Sequence, residues 1–232
     1  MPERLIIEEE QDQFLKQQHL ARYQFAADHV QGKVVLDVAC GTGYGSALLK
    51  DRGAKRVVAV DVSPEAIEFA TRHYRTAGLE FMVGDAHELA KCPTADLAVS
   101  FETIEHLSEP ERFLASVRSR LERGGTFIVS TPIRQSGELR DEPRNPYHVT
   151  EWSVREFVDL LTAYFPKIDM GFQFNFRKMW YPGSRTIANG LAELLYPHRH
   201  RDFVQFPVCY SPPALPAIPV VPEFMIGVCT IA

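Results

Sequence analysis

The sequence predicts an α/β fold in which a mostly parallel sheet of seven strands is covered by helices on both faces. Short apolar segments that end in carboxylates alternate along the chain with segments of helical period. This alternation is typical of a doubly wound sheet. A chain of 232 residues with 45% hydrophobic and 24% charged residues can bury one sizeable core, so we expect a single domain over residues 1–232.

The first predicted strand runs into a glycine-rich turn. Val35–Val38 contains the carboxylate Asp37, and the turn Ala39–Gly45 opens the next helix. Because glycine lets the backbone approach a ligand closely, the turn predicts a nucleotide site at the carboxyl end of the strand. Ser46 replaces the last glycine of the dinucleotide fingerprint, and Asp37 would repel a pyrophosphate. The turn therefore favours a ligand with a cationic end.

The second and third predicted strands also meet carboxylates. The second strand, Val57–Asp61, is followed by Ser63 and Pro64, which are suited to the start of a helix. A carboxylate about 20 residues beyond a glycine-rich turn is placed to accept the hydroxyls of a ribose. The third strand, Leu79–Val83, runs into Asp85. Three strand ends thus point to one adenosine-like ligand.

Similar signals predict the remaining elements. Two Ser-x-x-Glu segments, Ser108–Glu111 and Ser153–Glu156, have the form of capping boxes before helices with apolar stripes. The core spans residues 31–174, and an insertion over 175–223 precedes the last strand, which lies within 224–232. We expect the insertion to form one wall of a substrate pocket, a lid or a homodimer contact. The other predicted elements are a lead-in helix within residues 12–30 and strands over Asp96–Phe101, Thr126–Thr131, Lys167–Phe174 and Phe224–Ile231.

Composition argues against several classes of partner. The net charge of −5 gives no general attraction to nucleic acid. The four cysteines are scattered, which is typical of reduced cytoplasmic thiols rather than a disulfide framework. The N-terminus has no signal-peptide pattern, and the apolar C-terminal run is too short to span a bilayer. We therefore expect a cytoplasmic protein without a membrane span.

A second group of chemical residues follows the fourth strand. Glu102, Glu105 and His106 stand at positions i, i+3 and i+4, so one helical turn would place them on one face. His148 lies in the loop after the fifth strand, at the same edge of the sheet. Two carboxylates and two imidazoles suit Mg²⁺ or Mn²⁺, and either histidine could instead be a general base. Glu102, His106 and His148 are the candidate catalytic residues.

The glycine turn resembles motif I of the class I S-adenosylmethionine-dependent methyltransferases, with Ala39 where many members carry the first glycine. The resemblance covers about residues 30–131 and implies a Rossmann-like methyltransferase fold with S-adenosylmethionine as cofactor. It implies that Asp61 binds the ribose, Asp85 the adenine amino group, and Arg22 or Tyr23 the cofactor carboxylate. The implied cofactor contacts are Tyr23, Asp37, Ala39, Gly41, Gly43, Asp61, Val62, Asp85, Ala86 and Phe101.

The second group of residues also resembles known enzymes. A Glu-x-x-Glu-His turn with a later histidine is similar to the divalent-metal site of the small-RNA 2′-O-methyltransferases, and the ubiquinone-biosynthesis O-methyltransferases are similar in its first part. The segment Asn145–Trp152 is similar to bacterial methyltransferases of surface-polysaccharide and other sugar pathways. Many metal-free class I enzymes carry Glu-His-Leu at this position, so metal ligation by Glu102, Glu105, His106 and His148 stays one of two alternatives.

The chemistry favours an oxygen acceptor. An alcohol is a poor nucleophile at neutral pH unless a base takes its proton or a metal lowers its pKa, and the sequence offers groups for both. We expect an O-methyltransferase that acts on a carbohydrate hydroxyl of a nucleotide sugar, a lipid-linked glycan or a polysaccharide end. The alternatives are a 2′-O-methyltransferase of RNA and a non-catalytic module that binds the cofactor.

Overall fold

A computed structural model of the protein describes residues 13–134, 143, 145–174, 208–209 and 222–231. Its helices are α1 (Gln13–Ala27), α2 (Tyr44–Asp51), α3 (Pro64–His73), α4 (Pro110–Arg118) and α5 (Val154–Thr162). Its strands are β1 (Val34–Val38), β2 (Arg56–Asp61), β3 (Leu79–Val83), β4 (Ala95–Phe101), β5 (Leu121–Pro132), β6 (Lys167–Phe174), β7 (Val208–Cys209) and β8 (Pro222–Thr230).

The strands form one sheet in the order β3-β2-β1-β4-β5-β8-β6-β7. Strands β1 to β5 pair parallel with one another, and β8 pairs antiparallel with both β5 and β6. The seven predicted strands are therefore confirmed, and the two-residue β7 extends the sheet beyond β6. Because β1, β2, β3 and β4 are parallel, their carboxyl ends lie along one edge of the sheet. This is the edge where a doubly wound sheet binds its ligand.

Alternating residues of the central strands supply two cores on opposite faces of the sheet. Leu36 and Val58 belong to the core that α4 and α5 cover, whereas Val35 and Val57 belong to the core that α1 and α2 cover. Because both faces are buried, these strands are nearly continuous apolar runs, as parallel sheets require.

The helix starts agree with the sequence in two of three cases. Ser63 caps α3 by accepting a hydrogen bond from the amide of Ala66, and Ser153 forms a complete capping box with Glu156 at the start of α5. The capping box predicted at Ser108 is wrong. Helix α4 begins one residue later, with Glu109 at the N-cap and without a side-chain cap, because Pro110 at the first helical position fixes where the helix starts.

In the part of the chain given above, no helix has the length and apolar character needed to cross a bilayer. The predicted insertion over residues 175–223 lies outside the described residues, except for Val208–Cys209 and Pro222–Glu223. Its roles as a pocket wall, lid or dimer contact therefore stay predictions.

Candidate active site

The turn after β1 has the backbone of a ligand-binding loop. Ala39, Gly41 and Gly43 all have left-handed backbones, with φ of 61°, 55° and 84°. A side chain at Gly43 would lie 2.6 Å from both Ala70 and Phe81, so this glycine is required for packing. A Cβ at Gly41 would have no atom within 4 Å, so this part of the turn faces open space. Ala39 adopts, with its φ of 61°, the conformation that favours glycine.

Asp61 joins the ends of β1 and β2. Its Oδ2 accepts a hydrogen bond from the amide of Gly41, and its Oδ1 accepts one from the amide of Ser63, each at 2.9 Å. The carboxylate is 9% exposed. These two hydrogen bonds hold the glycine turn in place. Because each carboxylate oxygen can accept more than one hydrogen bond, Asp61 can also accept one from a ligand hydroxyl.

Two valines at the same edge expose apolar surface. Val62 is 68% exposed, directly after Asp61, and Val83 is 51% exposed at the end of the neighbouring strand. Asp61 and Val83 are paired in the sheet, so the two valines lie close together beside the ribose-binding candidate. Exposed apolar side chains next to a buried carboxylate form the kind of surface that an adenine ring covers.

Asp85 and Ala86 follow β3 at this edge. The Oδ1 atom of Asp85 accepts hydrogen bonds from the amide and from Nδ1 of His87, both at 2.8 Å. The hydrogen bond from the amide leads the effects that lower the pKa of Asp85, so this exposed carboxyl is an acceptor at neutral pH. Ala86 packs partly against the core.

Asp37 is fully buried at the centre of the site. It accepts a hydrogen bond from the hydroxyl of Ser46 at 2.6 Å and one from the hydroxyl of Tyr23 at 3.2 Å. Burial raises the pKa of Asp37 to about 7, and the two hydrogen bonds partly oppose that rise. A cation beside Asp37 would favour its ionised form.

Tyr23 connects helix α1 to the cofactor turn. Its ring lies edge-on to Phe101 with centroids 4.9 Å apart, and a Cβ at Gly45 would lie 2.1 Å from the ring. Gly45 is therefore needed because Tyr23 packs on α2. The ring is 4% exposed and its hydroxyl is bound to Asp37. Tyr23 closes the inner side of the site.

The expected contact between Arg22 and the cofactor carboxylate finds no support, because its guanidinium faces the protein interior. The side chain is 1% exposed, its Nη1 donates to Gln173 Oε1 at 2.5 Å, and its guanidinium carbon lies 4.5 Å from the ring centroid of Phe224. Its Nη2 is 3.9 Å from Glu102 Oε2. Arg22 therefore links α1 to β6, β8 and the end of β4.

Glu102 does not share a face with Glu105 and His106. Its φ of 53° turns the chain out of the helical path immediately after β4, and the short 3₁₀ helix begins only at Ile104. The i, i+3, i+4 argument therefore does not apply. One carboxylate oxygen of Glu102 accepts a hydrogen bond from the hydroxyl of Ser130 at 2.7 Å, and the other faces Arg22.

The structure brings Glu105, His106 and His148 together. One ligand atom from each residue lies within 4.8 Å of the others, and the two imidazole rings are edge-on with centroids 4.9 Å apart. Glu105 is fully buried and neither carboxylate oxygen has a hydrogen-bond partner among the described residues. Burial, with a further contribution from Glu102, raises the pKa of Glu105 well above its usual range.

The loop over residues 145–150 is fixed to the 3₁₀ helix by its backbone. The carbonyl oxygen of Glu105 accepts hydrogen bonds from the amides of Val149 and Thr150, at 2.7 and 3.2 Å. His106 Nδ1 lies 2.9 Å from the carbonyl oxygen of Tyr147, which can only accept, so Nδ1 carries the proton. These contacts place His148 over the end of β4, as the sequence predicts.

Two polar residues around His148 were missed by the sequence reasoning. Glu151 Oε1 lies 2.7 Å from His148 Nδ1, and Asn145 Nδ2 lies 3.0 Å from His148 Nε2. Both stand three residues from the histidine in the segment Asn145–Trp152. A carboxylate three residues after a candidate base was the available signal, because such a pair can meet within a single turn.

The comparisons with known proteins find a family match over the first five strands. The family described as "Methyltransferase domain" matches residues 36–129. That span runs from β1 to β5 and contains the glycine turn, Asp61, Asp85 and Glu102. Residues 36–129 therefore match a methyltransferase domain, and two of the curated relatives are named as probable S-adenosylmethionine-dependent methyltransferases. The match does not identify the acceptor, because the acceptor contacts residues other than those that we propose bind the cofactor.

Two curated relatives illustrate the range of this methyltransferase domain. A probable S-adenosylmethionine-dependent methyltransferase of Mycolicibacterium smegmatis is 35% identical over 146 residues, 62% of this chain and 55% of that protein. A mitochondrial ubiquinone biosynthesis O-methyltransferase of Schizosaccharomyces pombe is 34% identical over 108 residues, 44% of this chain and 39% of that protein. The chain spans 55% to 60% of the length of the mycobacterial relatives that it matches.

The solved structures bear on the fold. A Haloferax volcanii methyltransferase, determined in complex with the Trm112 methyltransferase activator, aligns with a TM-score of 0.62 at 20% identity. The alignment covers 95% of this chain and 92% of that chain. The predicted Rossmann-like methyltransferase fold is thereby confirmed.

Proposed function

We propose that the protein transfers the methyl group of S-adenosylmethionine to a hydroxyl of a carbohydrate. The observation that carries this proposal is the pair of imidazoles, His106 and His148, that meet beside the end of β4. An alcohol needs help with its proton at neutral pH, whereas a carbon, nitrogen or thiol acceptor has less need of two imidazoles. The arrangement therefore supports an oxygen acceptor.

The residues at the cofactor edge fit S-adenosylmethionine. The open side of Gly41 and the exposed Val62 leave room beside the Asp61 carboxylate, which is suited to ribose hydroxyls. Asp37 suits the cationic methionine end, and Asp85 suits the adenine amino group. When bound, the cofactor supplies an electrophilic methyl group on a sulfonium. The proposed cofactor contacts remain Tyr23, Asp37, Ala39, Gly41, Gly43, Asp61, Val62, Asp85, Ala86 and Phe101.

His148 is the proposed base for the acceptor hydroxyl. Its Nδ1 faces Glu151 and its Nε2 lies on the other side of the ring, towards Asn145. His106 has its Nδ1 occupied by a carbonyl oxygen, so its Nε2 is the atom left for the acceptor. Glu102 helps to form the acceptor side, where its carboxylate is held between Ser130 and Arg22.

A divalent cation would fit the cluster of Glu105, His106 and His148. The two unpartnered buried oxygens of Glu105 would gain a partner, and oxygen and imidazole ligands suit Mg²⁺ or Mn²⁺. Of the four ligands expected from the sequence, Glu102 lies apart from this cluster. A cation bound here would bring the hydroxyls of the acceptor to the site and make them more acidic.

The surface beside the imidazoles supports a sugar as the acceptor. Tyr147 is 56% exposed and Val149 is 54% exposed, and the backbone of both is held against the 3₁₀ helix. An exposed aromatic ring on a rigid loop can stack on the apolar face of a sugar ring. The relatives include O-methyltransferases of ubiquinone biosynthesis, so a quinol is the competing acceptor. An RNA terminus is disfavoured by the net charge of −5.

Turnover measurements can separate the base from the cation. We expect His148→Ala to lose at least 100-fold in methyl transfer while its affinity for S-adenosylhomocysteine stays within twofold, because a positioned base contributes about 10²–10⁴. The exposed His73, replaced by alanine, is the matched control. Treatment with a chelator, followed by Mg²⁺ or Mn²⁺, tests the cation. Full activity after chelation would exclude the cation and leave the base, whereas unchanged activity of His148→Ala would exclude the base.

A further inference from the structure

The segment after β5 surrounds one imidazole with two polar side chains of different character. His148 and Glu151 are 9% and 8% exposed, so their contact at 2.7 Å is largely shielded from water. Asn145 closes the opposite side of the ring at 3.0 Å. A shielded imidazole between a carboxylate and an amide has a defined proton arrangement, because each partner permits only some donor and acceptor roles.

The orientation of the Asn145 amide is fixed by a third contact. Its Oδ1 accepts a hydrogen bond from the backbone amide of Tyr147 at 3.0 Å, which places the Nδ2 group towards His148. An amide nitrogen can only donate, so His148 Nε2 must accept and carries a lone pair. The proton of the neutral ring is therefore on Nδ1, where it is donated to Glu151.

We infer that Glu151 is a positioning residue that holds His148 as the Nδ1-protonated tautomer, and that Asn145 covers the Nε2 lone pair until the acceptor hydroxyl replaces it. This inference deepens the proposed function and rests on it for the role of the acceptor. Free imidazole has no such preference imposed on it, whereas a carboxylate at Nδ1 both selects the tautomer and fixes the plane of the ring. The lone pair on His148 Nε2 then points towards Asn145, which the acceptor hydroxyl can displace.

The backbone of the segment is held against the 3₁₀ helix. The backbone amides of Val149 and Thr150 bind the carbonyl oxygen of Glu105, so the loop cannot rotate away from the 3₁₀ helix. The fixed backbone keeps Asn145 and Glu151 on opposite sides of His148. Neither residue needs to touch the cofactor to control which nitrogen is available.

The experiment measures the tautomer directly, without a substrate. Protein labelled with ¹⁵N-histidine and freed of metal by a chelator is studied by two-bond ¹H–¹⁵N correlation at a pH where the ring is neutral. The His148 signals are assigned by their loss in His148→Gln. We expect a protonated Nδ1 and an unprotonated Nε2. A protonated Nε2 in the wild-type protein would overturn the inference.

Three variants separate the roles of the neighbours. Glu151→Gln, whose amide can also donate to Nδ1, should give a mixture of tautomers. Glu151→Ala and Glu151→Gln should both lower kcat/KM by at least tenfold, with the affinity for S-adenosylhomocysteine unchanged. Asn145→Ala should keep the tautomer, because Glu151 still accepts from Nδ1. Glu156→Gln is the matched control, because Glu156 pairs with Ser153 and Arg134; it should leave the His148 tautomer unchanged.

The outcomes distinguish the inference from the proposed function. If Asn145→Ala shifts the tautomer and Glu151→Gln does not, Asn145 rather than Glu151 sets it and the inference fails. If the tautomer is as expected but no carbohydrate is methylated, the proposed function fails and the arrangement around His148 stands. If carbohydrate is methylated equally well by both Glu151 variants, the positioning role fails while the function stands.

Discussion

The buried guanidinium of Arg22 donates to the side-chain oxygen of Gln173 at 2.5 Å, which joins the lead-in helix to β6. Gln173 in turn donates from Nε2 to the backbone carbonyl of Gln18 at 3.0 Å. Both side chains are fully buried, and Arg22 lies next to Glu102. Helix α1 is thus tied to the part of the sheet where we propose that the acceptor binds.

We expect Arg22→Ala to lower the free energy of unfolding by about 3–5 kcal/mol, the usual loss when one partner of a buried charged pair is removed. Chemical denaturation measures it. The control is Arg155→Ala, which removes an arginine that is 93% exposed and 3.9 Å from Asp159; it should cost less than about 1 kcal/mol. Equal losses in the two variants would contradict the role given to Arg22.

Asp61 should control the affinity for the cofactor. Asp61→Ala removes the acceptor that binds the amides of Gly41 and Ser63 and that we expect to bind the ribose. Loss of a hydrogen bond to a charged group costs about 1.5–3 kcal/mol, so calorimetry should show S-adenosylhomocysteine binding weakened by about tenfold or more. Glu80→Ala, at an exposed carboxylate paired with Arg56, should bind normally. Unchanged affinity in Asp61→Ala would mean that the ribose lies elsewhere.

Asp37 should contribute less to the stability of the cofactor-free protein as the pH rises towards 7. The pKa of Asp37 is about 7 in the folded protein and close to 4 in an unfolded chain. Between these values the folded state keeps a proton that the unfolded state has released, so the contribution is complete below about pH 4 and is lost on the way to about pH 7. The slope is at most about 1.4 kcal/mol per pH unit.

Asp37→Asn should remove this pH dependence, because an amide does not titrate. Thermal unfolding of both proteins at several pH values between about 4 and 8 makes the comparison. The variant should gain stability relative to the wild type as the pH rises. A difference that stays constant across the range would contradict the buried, partly neutral state of Asp37.

The two Ser-x-x-Glu segments give a matched pair for helix capping. Ser153→Ala breaks a capping box in which the Ser153 side chain accepts from the amide of Glu156, and it should cost about 0.5–2 kcal/mol. Ser108→Ala removes a serine outside the N-cap of α4, and it should change the stability by less than about 0.5 kcal/mol. A larger loss for Ser108→Ala would restore the capping box predicted from the sequence.

The elements around the proposed cofactor site could be predicted from the sequence because the sequence patterns that indicate them are local. The predicted range Lys167–Phe174 is the observed β6, and Ser63 caps α3 as expected. Each rests on residues within a few positions of one another, where strand periodicity and capping geometry operate. The glycine turn and Asp61 could be predicted for the same reason.

The surroundings of Arg22 and Glu102 could not be predicted, because they depend on contacts that sequence spacing does not encode. Arg22 was one of two candidates for the cofactor carboxylate, beside Tyr23. Its observed partners Gln173 and Phe224 lie far away in the chain and come close only when β6 and β8 pair. Glu102 was expected on the face of Glu105 and His106, but its positive φ at the end of β4 turns it away. Helical periodicity cannot be applied across a residue in a left-handed conformation.

Methyl transfer itself provides the most direct test of the central claim. The protein is incubated with S-adenosylmethionine labelled with ¹³C in the methyl group and with separate panels of nucleotide sugars, a quinol and an RNA oligonucleotide. The products are identified by ¹³C NMR and mass spectrometry, with His148→Ala as the comparison. The account predicts a new O-methyl ether on a sugar hydroxyl that depends on His148. Methylation of only the quinol or the RNA, or transfer to nitrogen or carbon, would contradict it.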